Sequence, residues 1–166
     1  MKASKIYLVG FMASGKTTLA KNLAKRLDWK FVDIDELVEA REHLPIADIF
    51  ARRGEPHFRA VERAVLLEQL GSPHAVVATG GGTFVDPANR AAINADGVSI
   101  WLDLPLDRII ARLPTDGRRP LAADRGELER LYQQRRASYQ QAHVHLDASR
   151  TGVDALTEQV MDWLGS

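Results

Sequence analysis

Apolar residues follow two alternating patterns along the chain. Five short runs are mostly apolar and of strand type, at residues 6–9, 31–32, 75–79, 98–102 and 144–146. Between these runs, apolar residues recur every three or four positions, as on one face of a helix. These helical patterns begin near Lys16, Ile34, Ile46, Pro56, Pro87, Pro105, Asp124 and Gly152. The alternation predicts an α/β fold, with a parallel sheet covered by helices on both faces.

Local signals support several of the predicted helix starts. Asp86 places a hydrogen-bond acceptor before a helix, and Pro87 suits its first turn. Gly54 separates two helical patterns, and Pro56 can open the second of them. We detect no internal repeat, and 166 residues suit one domain spanning residues 1–166.

The composition narrows the classes of function. Lys and Arg together number 22, as do Asp and Glu, so no net charge attracts the chain to nucleic acid or to a membrane. The chain has no cysteine, which fits a reducing compartment. It has no run of about 18 apolar residues, and its first apolar run is too short for a secretory signal. We therefore expect a cytoplasmic monomer without nucleic-acid or membrane partners.

A phosphate-binding loop is the strongest motif. Residues 10–17, GFMASGKT, fit the pattern G-x-x-x-x-G-K-[ST] between a predicted strand and a predicted helix. Gly10 and Gly15 permit turns that point backbone N–H groups at phosphate oxygens, and the helix adds its positive amino-terminal end. Lys16 would reach the β- and γ-phosphates, and the Thr17 hydroxyl would bind Mg²⁺. A chance match is the alternative, but the strand–loop–helix context favours a nucleotide site.

Polar residues after the second and third strands suggest an acceptor site. Asp33 and Asp35 follow the second strand, where one carboxylate could hold hydrated Mg²⁺ and the other could accept the proton of a substrate hydroxyl. Alternatively, Asp33 is a helix N-cap and Asp35 a first-turn acid. Arg59, in GEPHFRAVE, could equally be a surface charge paired with Glu55 or Glu62.

Two further segments are unusual. Three consecutive glycines, Gly80, Gly81 and Gly82, follow the third strand, and the close approach of a ligand or another backbone would explain them. Residues 113–126, LPTDGRRPLAADRG, show no periodicity, and seven arginines against four acidic residues occur between Arg112 and Arg136. A segment of this kind is either a plain surface loop or a functional or mobile segment.

In combination, GFMASGKT, DID, GEPHFRAVE, TGGG, RRPL and a late R-x-x-x-Y resemble the shikimate kinases of the nucleoside-monophosphate-kinase-like group. The order and spacing agree over residues 6 to about 150. The resemblance implies a three-layer P-loop kinase fold with a central five-stranded parallel sheet and a mobile lid at about residues 112–126. It also implies ATP-dependent phosphorylation of the 3-hydroxyl of shikimate, a step in aromatic amino-acid biosynthesis.

The resemblance further implies roles for individual residues. ATP would be bound by Gly10, Met12, Ala13, Ser14, Gly15, Lys16, Thr17, Thr18, Arg112, Arg119 and Arg150. Arg112 would lie against adenine, with the turn at residues 147–150 on the other side of the base. Arg119 would close with the lid onto the phosphates, so that Lys16, Asp35 and Arg119 form the catalytic set. Thr17 and, through water, Asp33 would serve Mg²⁺.

For the acceptor, the resemblance assigns a region at about residues 33–62 together with two later segments. Asp35 would bind the shikimate hydroxyls and is the candidate base, while Arg59 and Arg135 would bind the carboxylate. Gly80, Gly81 and Gly82, chiefly Gly81, would offer backbone amides to the substrate. Paired arginines suit such an acceptor because a planar guanidinium binds a carboxylate through two parallel hydrogen bonds.

The chain departs from the family pattern at three places. Ala13 stands where glycine is common, which we expect to be tolerated if its φ is negative. His43-Leu44-Pro45 replaces a stretch that usually contains glycine. Ala137 replaces a proline, so Arg136 could compete with Arg135 as the second carboxylate-binding residue.

Other functions stay open at this stage. A related kinase could act on another hydroxylated acid or sugar such as gluconate, or on a nucleoside monophosphate. A nucleotide-binding module without catalysis is a second alternative, although it would have no need of an acceptor pocket. His57, His74, His143 and His145 form no zinc-binding pattern, and Trp29, Trp101 and Trp163 fit packing roles.

Overall fold

The computed structural model describes residues 1–113 and 125–166. Its centre is a five-stranded parallel sheet in the order β2-β3-β1-β4-β5. The strands are β1 (Lys5–Val9), β2 (Lys30–Asp33), β3 (Ala75–Ala78), β4 (Val98–Asp103) and β5 (Val144–Asp147). The predicted α/β class and the number of strands are confirmed.

The described helices begin where the sequence patterns place them, to within one residue. They are α1 (Lys16–Leu27), α2 (Ile34–Glu42), α3 (Ile46–Arg53), α4 (Glu55–Gln69), α5 (Pro87–Asp96), α6 (Leu106–Arg112), α7 (Arg125–Tyr139) and α8 (Val153–Gly165). A short 3₁₀ turn, Thr83–Val85, follows the three glycines. None of these helices combines the length and hydropathy that a membrane crossing requires.

The predicted helix caps have the expected geometry. The Asp86 carboxylate accepts hydrogen bonds from the amides of Ala88 and Asn89, at 2.8 and 3.0 Å. Gly54 joins α3 to α4 with a φ of 86°, a conformation that side chains disfavour. Local sequence signals therefore determine these two helix boundaries.

The burial of β1 explains why its sequence is a continuous apolar run. This strand lies between β3 and β4, and Ile6, Tyr7, Leu8 and Val9 are inaccessible to solvent. A strand that helices cover on both faces has no exposed side on which polar residues would alternate. Helix α1 packs on β3 and against α8, while α4 contacts α2, α3 and α5.

A polar cluster lies at the amino end of β1, at the opposite edge of the sheet from the predicted site. The buried Lys5 ammonium lies 2.7 Å from Oδ2 of Asp96, to which the Tyr7 hydroxyl also donates at 2.6 Å. Burial alone would raise the pKa of Asp96, but hydrogen bonds from Lys5, Tyr7 and the Gly71 amide hold that pKa below its usual value. The cluster therefore joins β1 to the end of α5 through a charged pair.

We predict that Asp96→Asn lowers the free energy of unfolding by about 3 kcal/mol, because it leaves the buried Lys5 ammonium without its counter-charge. Urea denaturation measures the loss. The lowered pKa of Asp96 means that its contribution is present above the unfolded-state pKa and disappears as the pH falls through the folded-state pKa. The gap between wild type and variant should therefore narrow below about pH 4.

The matched control is Glu158→Gln, which removes an exposed ion pair with Arg26. Exposed pairs contribute less than about 1 kcal/mol, so this variant should unfold almost like the wild type. Equal losses in the two variants would contradict the prediction.

Candidate active site

The three predicted motifs meet at the carboxyl edge of the sheet. The phosphate loop follows β1, Asp33 ends β2 and precedes α2, and the three glycines follow β3. Thr79 joins two of these segments, because its amide and its hydroxyl both donate to the Leu8 carbonyl, at 3.2 and 2.9 Å. Open α/β sheets bind their ligands at this edge.

The phosphate loop has the backbone that its glycines predict. Gly10 and Gly15 have φ values of 148° and 99°, and a side-chain carbon on Gly10 would lie 2.8 Å from the Leu102 carbonyl oxygen. The buried Lys16 ammonium donates to the carbonyls of Gly10 and Phe11, at 2.8 Å each. The loop and its lysine therefore form one compact unit at the start of α1.

Ala13 does not have the negative φ that we expected. Its φ is 56°, in the left-handed region, so the condition for tolerating alanine here is not met. A non-glycine residue in this conformation costs roughly 1–2 kcal/mol. The turn of the loop imposes the conformation, which accounts for the glycine that is common here in the family.

Thr17 and Asp33 lie together, as a magnesium site requires. The Thr17 hydroxyl donates to Oδ2 of Asp33 at 3.0 Å, while Oδ1 accepts the Glu36 amide at 3.2 Å. Asp33 therefore caps α2 and also faces the phosphate loop, so the two alternatives for this residue are compatible. The described part of the chain holds no cluster of three or more His, Cys, Asp and Glu residues suited to a metal. Hydroxyl and carboxylate oxygens are nonetheless chemically suited to Mg²⁺, which keeps several waters and takes phosphate ligands.

Two adjoining cavities occupy this edge. The larger one, of about 450 Å³, is bordered by residues of α2, α3 and α4, by the glycine turn and by Arg135 of α7. The smaller one, of about 210 Å³, follows the phosphate loop. Thr17, Asp33, Asp35, Gly80 and Gly81 line both. A group bound in the larger cavity would therefore lie beside a phosphate bound in the smaller one.

A buried carboxylate holds Arg59 at the wall of the larger cavity. Arg59 Nη1 donates to Glu62 Oε1 and Oε2, at 3.0 and 3.2 Å, and Thr83 Oγ1 donates to the same carboxylate at 2.9 Å. The expected pairing of Arg59 with Glu62 exists, but the Glu62 side chain is only 1% exposed, so the pair is not a surface one. This anchoring role was not predicted from the sequence, although Glu62 lies on the buried face of α4 with Phe58, Val65 and Leu66.

The structure brings Arg135, rather than Arg136, to the larger cavity. Arg135 is buried, with its guanidinium 5.9 Å from the centre of the Phe11 ring. Arg136 instead donates to Asp103 at 2.9 Å and lies over the Trp101 ring at 4.8 Å. Burial lowers the pKa of Arg135, and the positive charge of Arg59 contributes to the lowering. A bound anion would relieve the repulsion between these two guanidinium groups.

Tyr139 is a further residue without a predicted role. Its hydroxyl donates to the Gly81 carbonyl, and its side chain is hydrogen-bonded to Arg135. The R-x-x-x-Y spacing places Arg135 and Tyr139 one turn apart on α7, where side chains meet. The spacing was therefore the signal in the sequence that Tyr139 lies beside Arg135. Through Tyr139, α7 contacts the glycine turn.

A cavity of about 500 Å³ lies on the other side of the phosphate loop, where the adenosine part of ATP was predicted. Ala13, Ser14, Gly15, Thr18 and Arg112 line it, as the predicted ATP contacts require. Arg112 Nη1 lies 3.4 Å from the Ser14 carbonyl oxygen.

Several other predicted contacts lie elsewhere. Arg150 is exposed and does not border the 500 Å³ cavity; from the predicted turn at 147–150 only Ala148 lines it, and Thr151, Gly152 and Val153 complete that wall. Met12 borders the 450 Å³ cavity instead. Arg119 and residues 114–124 of the predicted lid lie outside the described residues, so their roles stay predictions.

The unusual stretch His43-Leu44-Pro45 preserves the turn between α2 and α3. His43 has a φ of 56°, the left-handed conformation that a glycine adopts readily. Glu39 closes the turn by accepting the Ile46 amide at 2.8 Å. Pro45, but neither His43 nor Leu44, borders the 450 Å³ cavity, so the departure from the family pattern reaches the cavity wall at Pro45 alone.

Comparisons with known proteins agree with this geometry. The sequence model for shikimate kinase matches residues 12–165. A shikimate kinase of Persephonella marina is 43% identical over 142 residues, which cover 85% of this chain and 87% of the relative. One from a Sulfurihydrogenibium species is 38% identical, with 94% and 95% covered.

Solved structures lead to the same family. The structure of shikimate kinase from Acinetobacter baumannii in complex with shikimate has a TM-score of 0.92 and 31% sequence identity to this chain. The match covers 97% of this chain and 92% of that one. On the matched family model and these relatives, the chain belongs to the shikimate kinase family.

Proposed function

We propose that the chain transfers the γ-phosphoryl group of ATP to the 3-hydroxyl of shikimate, giving shikimate 3-phosphate and ADP. The observation that carries this proposal is the cavity of about 450 Å³, in which Asp35, Arg59 and Arg135 border one space beside the phosphate loop. A carboxylated ring with several hydroxyls matches that set of charges. Membership of the shikimate kinase family supports the same acceptor.

The phosphate loop is the donor side of the proposed reaction. The loop amides and the Lys16 ammonium would surround the phosphates of ATP, which the family uses as its phosphate donor. Phosphoryl transfer requires positioned oxygens and positive charge near the migrating group more than it requires covalent chemistry. Lys16 starts α1 directly after the loop, so its charge and the positive end of the helix act at the same place.

Thr17 and Asp33 are the residues that would hold Mg²⁺, Thr17 directly and Asp33 through water. The ion, when bound, supplies positive charge that offsets the charge of the phosphate oxygens. The Thr17–Asp33 hydrogen bond of 3.0 Å keeps both oxygens at the edge of the smaller cavity.

Asp35 and the two arginines form the acceptor side. Asp35 lines both cavities, so its carboxylate can accept a hydrogen bond from the acceptor hydroxyl and take up the proton during transfer. Arg59 and Arg135 would bind the acceptor carboxylate and so orient the ring. Arg112 and Arg119 would act on the adenine and the phosphates respectively. A cytoplasmic location, a monomeric state and one domain over residues 1–166 also stay predictions.

We predict ADP release that depends on shikimate in a coupled assay with a panel of acceptors. The panel contains shikimate, gluconate, a nucleoside monophosphate and an acceptor-free control. Turnover with gluconate or the nucleotide alone would indicate a related kinase instead. No turnover with any acceptor would indicate a nucleotide-binding module.

We predict that Lys16→Ala lowers kcat by about 100-fold or more, as the loss of one stabilising donor in a transition state does. The fold should stay intact, although the loss of the two hydrogen bonds from Lys16 to the loop carbonyls should lower the thermal midpoint slightly. Lys25→Ala is the matched control, since Lys25 lies on the same helix but is exposed. Retained turnover in Lys16→Ala would remove the loop from the mechanism.

We predict that Arg59→Ala weakens shikimate binding by about 1.5–3 kcal/mol, the contribution of a charge-assisted hydrogen bond. Isothermal titration calorimetry measures this loss, which corresponds to about 10- to 150-fold in Kd. Affinity for ATP should not change. The exposed Arg52 of α3 provides the control, and Arg52→Ala should bind shikimate like the wild type. Unchanged affinity in Arg59→Ala would exclude Arg59 as a carboxylate ligand.

A further inference from the structure

Each glycine of the turn after β3 lies against a different charged side chain of the 450 Å³ cavity. A side-chain carbon on Gly80 would lie 2.7 Å from Asp35 Oδ1, and one on Gly81 would lie 3.1 Å from Arg135 Nη1. On Gly82, it would lie 2.5 Å from both terminal nitrogens of Arg59. The three side chains that we place on the acceptor are thus the ones that a side chain added to this turn would meet first.

The backbone conformation does not explain these glycines. Among the glycines that the structure describes, positive φ values occur at Gly10, Gly15, Gly54 and Gly71, and not in this turn. Gly82 has a φ of −103° and a ψ of −8°, which other residues adopt without strain. The conformation of Gly82, at least, would accept alanine.

Backbone amides do not explain the glycines either. The Gly80 amide already donates to Thr83 Oγ1 at 3.0 Å, so it is engaged within the turn. An amide that serves the acceptor at Gly81 or Gly82 would be present in any residue except proline. The property that only glycine has at these positions is the absence of a side chain.

We propose that the three glycines act as positioning residues for the acceptor-binding charges. Without side chains, they leave the space in which Asp35, Arg135 and Arg59 lie against the turn, one side chain to each glycine. The proposal rests on the roles that the proposed function gives to these three residues. It assigns the glycines an indirect effect on the acceptor, through the carboxylate and the guanidinium groups.

The surroundings of Arg59 make the effect strongest at Gly82. The guanidinium is held by Glu62 and lies 5.1 Å from the centre of the Phe58 ring. A side chain on Gly82 would occupy the space of the terminal nitrogens, so the guanidinium would have to leave its hydrogen bonds with Glu62. The guanidinium is the far end of a long, flexible side chain, so it can move aside without a change in the fold.

Gly81 offers a less specific test. A side-chain carbon there would also lie 3.3 Å from the Met12 amide nitrogen, in the phosphate loop. Alanine at this position would therefore disturb the ATP side as well as Arg135. Gly80 and Gly82 allow the effects of Asp35 and Arg59 to be tested separately. The three atoms nearest to an added side-chain carbon belong to Asp35 at Gly80 and to Arg59 at Gly82.

The experiment measures steady-state kinetics and thermal midpoints of Gly82→Ala and Gly80→Ala. Gly82→Ala should raise KM for shikimate about tenfold or more, since it displaces a charge-assisted contact, and should leave KM for ATP unchanged. Gly80→Ala should act mainly on kcat, because Asp35 faces the reacting hydroxyl. Gly165→Ala is the control, because among the described residues no atom beyond its chain neighbours and its own helix backbone lies within 4 Å of where a side-chain carbon would be.

A double-mutant cycle with Arg59→Ala separates the two explanations of Gly82. If Gly82 acts through Arg59, the double variant should bind shikimate as Arg59→Ala alone does. Additive losses in the cycle would show that Gly82 acts independently of Arg59 and would overturn the proposal.

A crystal structure of Gly82→Ala gives a result that does not depend on the acceptor. The guanidinium of Arg59 should be displaced from Glu62, and an unchanged position would overturn the proposal. A wild-type enzyme that does not phosphorylate shikimate would refute the proposed function instead, while this structural test would still decide the role of Gly82.

Discussion

The parallel pairing of β1, β2 and β3 is the constraint on which the rest of the site depends. Because these neighbouring strands run in one direction, the phosphate loop, the Asp33 turn and the glycine turn all emerge at the same edge. Thr79 fixes the spacing of two of them through its paired hydrogen bonds to Leu8. Helix α7 is joined to this edge by the hydrogen bond that the Tyr139 hydroxyl donates to the Gly81 carbonyl.

A continuous chain of hydrogen bonds then orients the acceptor side. The Gly80 amide donates to the Thr83 hydroxyl, which donates to the Glu62 carboxylate, and the Arg59 guanidinium donates to the same carboxylate. Glu62 is buried, and a buried carboxylate is stable only when its oxygens are paired in this way. The glycine turn therefore fixes Arg59 twice, through this network and through the space that Gly82 leaves.

The order of elements and most helix starts could be predicted because their signals are local. Apolar spacing, Asp86 and Gly54 each act within a few residues. The left-handed φ of Ala13, the burial of Glu62 and the choice between Arg135 and Arg136 depend instead on distant parts of the chain. Adjacent helical residues point in directions about 100° apart, so only the packing of α7 decides which arginine meets the cavity. The three glycines were visible in the sequence, but the side chains that fill their space come from α2, α4 and α7.

The charges of the cavity bear on which acceptors the site can favour. Arg59 and Arg135 face the same space, and burial, with a further contribution from the positive charge of Arg59, lowers the pKa of Arg135. A neutral polyol would leave that repulsion in place, whereas a carboxylate would offset it with charge-assisted hydrogen bonds. Asp35, beside the phosphate loop, would in turn repel a second carboxylate of the acceptor near the reacting hydroxyl. The arrangement therefore favours an acceptor with one carboxylate and with its hydroxyl away from that carboxylate, which agrees with shikimate.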